Sequence, residues 1–286
     1  MRIVKISGGL GNQMFQYVFG QYLSKKYNEK VYYDIDWYKN LKPNKRLYNL
    51  ELFNFDINIQ ISQGKEYPFK CIILDTLIYL LKGLTTFNRG NPIILYESRT
   101  SLIGSILSAI FRNSYYSSYW QEFKYYKYIS NDIEFKLNPN KLLINTKIKE
   151  KILNSNAVSI GIRRGDYVKL GNIVCGMEYY KKSINLMNKK IDSPIYYIFS
   201  DDIEWCKKNI EISTEHHFVK QNKDTPFENM ELMSLCKHNI ISNSTYDWWG
   251  AMLNKNNQKI IICPKIWMPK DIEIRKNLIP SEWIKI

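Results

Sequence analysis

The 286-residue chain predicts an α/β fold of two units, on three observations. The second half alternates β-rich runs with helix-like stretches, the first residues pass from a strand through a glycine turn into a helix, and the pattern breaks around Asn138-Pro139-Asn140. That break divides the chain into units 1–140 and 141–286, and a chain of this size with 45% hydrophobic content buries cores for about two domains.

In chain order, Arg2 to Ile6 reads as a strand, and Ser7-Gly8-Gly9-Leu10-Gly11-Asn12-Gln13 as a turn. A helix follows from near Met14, with Phe15, Val18 and Phe19 on one side. Glycines allow close backbone approach and a helix N-terminus presents unpaired N–H groups, so Gly9, Gly11, Asn12 and Gln13 are candidate ligand contacts. The spacing is neither that of a P-loop nor that of a dinucleotide fingerprint.

Val31 to Asp36 reads as a second strand, ending in Asp34 and Asp36. Acids two apart on a strand share a face and suit Mg²⁺, but two arginines later in the chain supply the charge that a metal would bring, and no metal is expected. The 42–54 stretch reads as loop with a short helix. Ile72 to Leu81 and Leu102 to Phe111 read as core helices, each about ten residues and so short of the ~20 that cross a bilayer. The aromatic run Tyr115 to Gln121 contains Trp120 and Gln121, candidates for contacting a sugar, although such aromatics more often fill a core.

Beyond the break the expected elements are a helix at Thr146–Asn154, a strand at Val158–Ile162, a helix at Met177–Asn188, a strand at Ile195–Ser200 and a helix at Ile203–Asn209. After these come a strand at His217–Val219, a helix at Pro226–Cys236, a strand at Asn239–Ser242, a helix at Trp248–Leu253 and a strand at Lys259–Cys263. Such alternation predicts a parallel sheet wrapped by helices, with ligands beyond the carboxyl ends of the strands.

Three polar groups occupy those ends. Arg163 and Arg164, followed by Gly165 and Asp166, carry permanent charge and planar donor forks that suit a diphosphate. Ser200, Asp201 and Asp202 offer acceptors for a base or ribose, or simply terminate a strand. Asn243, Ser244 and Thr245 precede a helix and either donate to phosphate oxygens or cap it. Arg164 either shares the phosphate with Arg163 or braces Asp166, and Trp248 and Trp249 read as packing.

Composition narrows the function classes. The formal charge of +14 comes from lysines spread along the chain, with no zinc-finger spacing, RNA-recognition box or helix-turn-helix signature, so no nucleic acid partner is expected. Five cysteines without paired spacing read as reduced thiols. Met1-Arg2-Ile3-Val4-Lys5 enters a strand directly, without a signal-peptide run, and a cytoplasmic location is expected.

Motifs in a fixed order carry a resemblance. Gly8 to Tyr17, Tyr119-Trp120-Gln121, Arg163 to Tyr167, Phe199 to Cys206 and Met233 to Ala251 together resemble the bacterial α-1,2-fucosyltransferases of glycosyltransferase family 11. Two positions depart from that pattern. The family usually has histidine two residues before the first arginine, where this chain has Gly161, and more often serine before the tryptophan pair, where it has Asp247. In related fucosyltransferases that histidine helps hold the guanine nucleotide.

The resemblance implies a GT-B-like fold, two Rossmann-type domains facing a cleft, the first for the acceptor and the second for the nucleotide-sugar. It implies transfer of L-fucose from GDP-β-L-fucose to a galactose 2-hydroxyl of a glycan in surface polysaccharide or O-antigen synthesis, with inversion and without metal or other cofactor. Arg163, Asp166 and Asp34 become candidate catalytic residues. Gly9, Gly11, Asn12, Gln13, Arg163, Arg164, Ser200, Asp201, Asp202, Asn243, Ser244 and Thr245 become donor contacts, and Trp120 and Gln121 acceptor contacts. Asp36 and Asp247 join Asp34 and Asp166 as candidate bases. Peripheral attachment to the cytoplasmic face of the inner membrane is compatible with this reading. A different nucleotide-sugar donor, or a non-catalytic basic protein that binds glycans or a membrane surface, are the competing readings.

Overall fold

A computed structural model describes residues 2–39, 48–53, 93–95, 114–136, 146–172, 175–220, 226–268 and 277–286. The expected helices at 72–81 and 102–111, the loop at 42–47 and the break at 138–140 lie outside these. The chain forms two compact units, Met1–Lys136 and Leu137–Ile286, each α/β with a parallel sheet, the GT-B-like pattern of two such units in series.

In the first unit, strands β1 (Arg2–Lys5), β2 (Val31–Asp34), β3 (Ile93–Leu95) and β4 (Ser114–Tyr116) form a sheet ordered β2-β1-β4-β3, every pair parallel. Helix α1 spans Leu10–Tyr27. It starts earlier than the sequence suggests, so Gly11, Asn12 and Gln13 form its first turn and Gly9 its N-cap. The turn itself is made at Gly8, whose φ of +82° is open to glycine at little cost. Leu10, Met14, Phe15, Val18, Phe19 and Leu23 are all buried, which fixes α1 as a core helix. It ends at Asn28, a left-handed cap, with Lys25 and Lys26 in its last turn where the helix dipole favours cations.

Strand β2 stops at Asp34, and Asp36 opens a helical turn, α2 (Asp36–Lys39). Asp34 Oδ1 accepts from the Asp36 backbone N–H at 2.8 Å, the local bond by which aspartate ends a strand. The expectation of two acids alternating along a strand is therefore corrected. Asp36 turns instead to Lys39, at 2.7 Å. After a 3-10 turn at Leu50–Leu52, the described part of the unit closes with α3 (Phe123–Ile129).

The second unit comprises, in chain order, α4 (Thr146–Leu153), β5 (Ala157–Ile162), α5 (Gly165–Leu170), α6 (Met177–Lys190), β6 (Ile195–Ser200), α7 (Ile203–Asn209), β7 (His216–Lys220), α8 (Pro226–Leu235), β8 (His238–Ile240), α9 (Thr245–Met252), β9 (Ile261–Cys263) and β10 (Ile284–Lys285). Its sheet is ordered β10-β9-β8-β5-β6-β7 and every pair is parallel. Renumbered from β5, this is the 3-2-1-4-5-6 order of a doubly wound nucleotide-binding sheet, and the order reverses between β5 and β8.

β5 is buried along its whole length, as a central parallel strand must be, and its neighbours form two apolar layers. One layer includes Tyr180, Met187 and Ile198, the other Tyr197, Phe199 and Met233. Where polar side chains enter, they pair: Asn239 Nδ2 donates to Ser159 Oγ at 2.7 Å, and Asn254 Nδ2 to Asn239 Oδ1 at 2.8 Å. The strands and helices expected in the second unit are present with shifted ends. Six elements were not anticipated: α2, β3, β4 and α3 in the first unit, and in the second β10 and α5, the latter in place of an open turn after the arginines. Trp248 and Trp249 are fully buried and pack edge to face at 4.9 Å. Among the described residues no helix is long and apolar enough to cross a membrane.

Candidate active site

In a doubly wound sheet the helices on either side of the reversal diverge and leave a crevice beyond the carboxyl ends of the two strands. Here those ends deliver Arg163 after β5 and Ser242 to Asp247 after β8, with Ser200 to Asp202 arriving from β6. A recess opens among them, lined by Ile162, Arg163, Phe199, Ser200, Asp201, Asn229, Ser244, Tyr246 and Asp247. At least one member of each of the three polar groups predicted to meet thus lines the same space.

Arg163 is the cation of this recess. Its Nη1 lies 2.8 Å from Asp201 Oδ2, its Nη2 donates to Asp166 Oδ1 at 2.6 Å, and its guanidinium stands 5.5 Å over the Tyr167 ring. Burial opposes its charge, but Asp201 and Asp166 outweigh that and raise its pKa, so it stays cationic. The two carboxylates hold it unequally, Asp201 being 13% exposed and Asp166 36%.

Arg164 is employed differently. Its guanidinium lies 3.7 Å over the Trp205 ring, and its Nε pairs with Asp202 Oδ2 at 3.2 Å, while its backbone N–H donates to Asp201 Oδ1 at 2.8 Å. Arg164 therefore braces the loop after β6, and the carboxylate expected beside it, Asp166, belongs to Arg163. Asp202 Oδ1 accepts from Trp205 N–H at 3.2 Å as the cap of α7, and Ser200 Oγ accepts from Asp202 N–H at 2.9 Å. Of these acids, Asp201 is the one that lines the recess.

The Asn243-Ser244-Thr245 trio divides in the same way. Asn243 is buried and its Nδ2 donates to the Asn172 and Trp267 carbonyls, both at 2.9 Å, so its side chain ties loops together. Ser244 caps α9, its Oγ accepting from Tyr246 N–H at 3.2 Å, and also lines the recess. Thr245 opens the helix.

Sequence reasoning did not single out the relation between Asp247 and Gly161. Asp247 is 6% exposed, and its Oδ2 accepts from Ser242 N–H at 3.1 Å and from Ser242 Oγ at 2.5 Å. Burial pushes its carboxyl up to about 6, against the Ser242 hydrogen bonds and Arg163, with Asp201 adding to the rise. A side chain at position 161 would overlap this carboxyl, so only glycine fits there. The signal in the sequence was that both residues depart from the family pattern, though nothing local says that they touch. Asn229 and Tyr246 were likewise missed, since each reads as an ordinary helix residue.

Among the described residues, burial pushes the Cys175 thiol up to about 12 and that of Cys206 up to about 11, which disfavours a thiolate nucleophile at either. Among the described residues no group of three or more His, Cys, Asp or Glu side chains is placed to hold a metal ion.

The remaining candidates lie in the first unit at the carboxyl ends of β1, β2 and β4. Gln13 Nε2 donates to the Gly8 carbonyl at 3.2 Å and its Oε1 accepts from Asn49 N–H at 2.8 Å, so it fixes the glycine turn. Gln121 Nε2 donates to Asn12 Oδ1 at 2.8 Å. The Trp120 ring is 7% exposed and stacks on Phe19 with centroids 4.0 Å apart, a packing role. Asp34 is buried, with Oδ2 accepting from Tyr115 Oη at 2.7 Å.

A family model described as Glycosyl transferase family 11 matches residues 97–286. Over nearly its full length the chain is similar to an alpha-1,2-colitosyltransferase of Escherichia coli, 30% identical over 99% of this chain and 98% of that one. It is also similar to the O-antigen biosynthesis glycosyltransferase WbnK of Escherichia coli, 27% identical over 98% and 99% of the two chains. Over 34% of its length it is 27% identical to the human galactoside alpha-(1,2)-fucosyltransferase 1, covering 28% of that protein.

Proposed function

The chain belongs to glycosyl transferase family 11, and from that premise we propose that it transfers L-fucose from GDP-β-L-fucose to the 2-hydroxyl of a galactose, with inversion, in building an O-antigen or related surface glycan. The observation that carries this reading is Arg163, charged and partly exposed, in a recess at the point where the sheet order reverses. A nucleoside diphosphate belongs at such a point. Support for the α-1,2 linkage, the galactoside acceptor and the O-antigen context comes from the names of relatives.

In this reading the Arg163 guanidinium neutralises the charge that builds on the β-phosphate as the glycosidic bond breaks. Its pair with the more exposed Asp166 is of the kind worth about 0–1 kcal/mol, so a diphosphate can take the place of Asp166 while Asp201 keeps the guanidinium aimed. Asp166 then holds Arg163 until the donor arrives. Arg164, locked on Trp205 and Asp202, keeps Asp201 in place through its backbone N–H. The N-terminus of α9, beside Ser244, adds a partial positive charge to the same recess. No metal enters the scheme. We place the reaction at the cytoplasmic face of the membrane, where a net charge of +14 favours anionic lipid.

Purified protein incubated with GDP-fucose and a lactose-type acceptor, with and without EDTA, tests this. Equal formation of a 2-fucosylated product in both arms is expected; turnover that disappears with chelator defeats the metal-free mechanism. A second reading keeps the fold and reaction but changes the sugar to colitose, the 3-deoxy counterpart of L-fucose, and rests on the colitosyltransferase relative. A site that hydrogen-bonds the fucose 3-hydroxyl rejects the deoxy sugar strongly, whereas an apolar site separates the two only weakly. The ratio of kcat/KM for the two donors decides between them.

A further inference from the structure

We propose that the Asp247 carboxyl, seated in the notch left by Gly161, is a specificity-determining acceptor for a neutral N–H or O–H group of the bound nucleotide. The proposal rests on the nucleotide-sugar reading above. It starts from the two oxygens of one buried carboxyl. Oδ2 accepts twice from Ser242, from its backbone N–H and its Oγ, which fixes the plane of the group. Oδ1 accepts no hydrogen bond from the described residues, and Asp247 lines the recess together with Arg163 and Ser244.

A carboxyl held at such a place carries a cost. It is nine-tenths buried, and leaving one of its oxygens without a donor forgoes a charge-assisted hydrogen bond. The surrounding chain maintains this arrangement: position 161, the penultimate residue of a fully buried strand, has no side chain, and the carboxyl fills that space. A ligand that supplies a donor to Oδ1 completes the shell. The ligand group must be neutral, because an ionised Asp247 repels phosphate, and the phosphate already has Arg163 nearby. A purine edge N–H and a ribose hydroxyl both meet that description.

The Asp247→Asn variant tests the idea because it keeps the shape and reverses the polarity. Ser242 N–H still demands an acceptor, so the amide oxygen turns to Ser242 and the amide NH₂ faces the recess, where it opposes a ligand donor. Calorimetric titration of wild type and variant with GDP, IDP, 2′-deoxy-GDP and inorganic pyrophosphate reads the result. The expected outcome is a loss of roughly 10- to 100-fold in GDP affinity with pyrophosphate unchanged. The analogue whose binding is weak in wild type and insensitive to the substitution identifies the group, IDP for the purine 2-amino group and 2′-deoxy-GDP for the ribose hydroxyl.

Unchanged GDP binding, or an equal loss for GDP and pyrophosphate, overturns the proposal. Should the asparagine variant fail to fold, Asp247→Ser, which removes the carboxyl without filling the notch, is titrated instead with the same expectations. If wild type prefers UDP or ADP over GDP, the guanine-donor reading fails while Asp247 is still judged on the preferred nucleotide and pyrophosphate. Absence of any nucleotide binding by wild type refutes both.

Discussion

Asp247 and Arg163 show how far single residues were readable. The arginine announced itself, since two guanidiniums at a strand end have few uses other than an anion or an internal acid, and the structure provides both a recess and two acids. The glycine-aspartate contact was invisible because it joins residues far apart in sequence, on β5 and α9, through a space that only the folded sheet defines. The carboxyl also makes a testable contribution to stability. It faces Arg163, Asp201 and Tyr246 at the recess, and Cys175, Tyr179 and Tyr180 from α6 and the loop before it. Its folded-state value of about 6 stands above the ordinary 3.8, so the folded protein binds this proton more tightly than the unfolded chain. The contribution is complete below the ordinary value and is lost as pH rises through about 6. Subtracting the urea-unfolding free energy of Asp247→Asn from that of wild type between pH 4 and 8 is expected to give a difference that moves against wild type as pH rises. A flat difference contradicts it.

At the level of elements, the alternation of apolar runs and helical stretches predicted most of the second unit because each central strand is buried on both sides and each helix shields one face. What failed were the ends, where caps rather than periodicity decide. Helix α9 starts at Thr245 because Ser244 supplies its capping oxygen, and α1 starts at Leu10 because the chain reaches helical geometry directly after the turn at Gly8. The strand β10, two residues paired to β9 at the very end of the chain, has no periodicity to read. The Ser244 cap gives the prediction at this scale. Ser244→Ala removes the acceptor for Tyr246 N–H and should cost about 1 kcal/mol, lowering the thermal midpoint by a few degrees. A larger fall in donor affinity than in stability would show that the hydroxyl also touches the ligand, whereas no change in either would remove Ser244 from the site.

For the whole molecule, the order of strands matters more than any one motif. The 3-2-1-4-5-6 order puts the reversal between β5 and β8, and the residues that the resemblance nominated as donor contacts in the second unit lie at or beside that reversal. Parallel alternation made a crevice foreseeable. The division of labour within it was not foreseeable, because Arg164, Asp202 and Asn243 are occupied in holding loops while Arg163, Asp201, Ser244 and Asp247 face the recess. The central claim is that the leaving diphosphate is neutralised by Arg163 and that Asp166 only keeps its place. Pre-steady-state turnover of GDP-fucose, with donor Kd measured separately for wild type, Arg163→Ala and Asp166→Asn, tests this most directly. The account predicts that the arginine variant loses on the order of 10²- to 10³-fold in kcat, while the aspartate variant keeps its kcat and binds donor as well as wild type or better. Wild-type-like turnover by Arg163→Ala would contradict it.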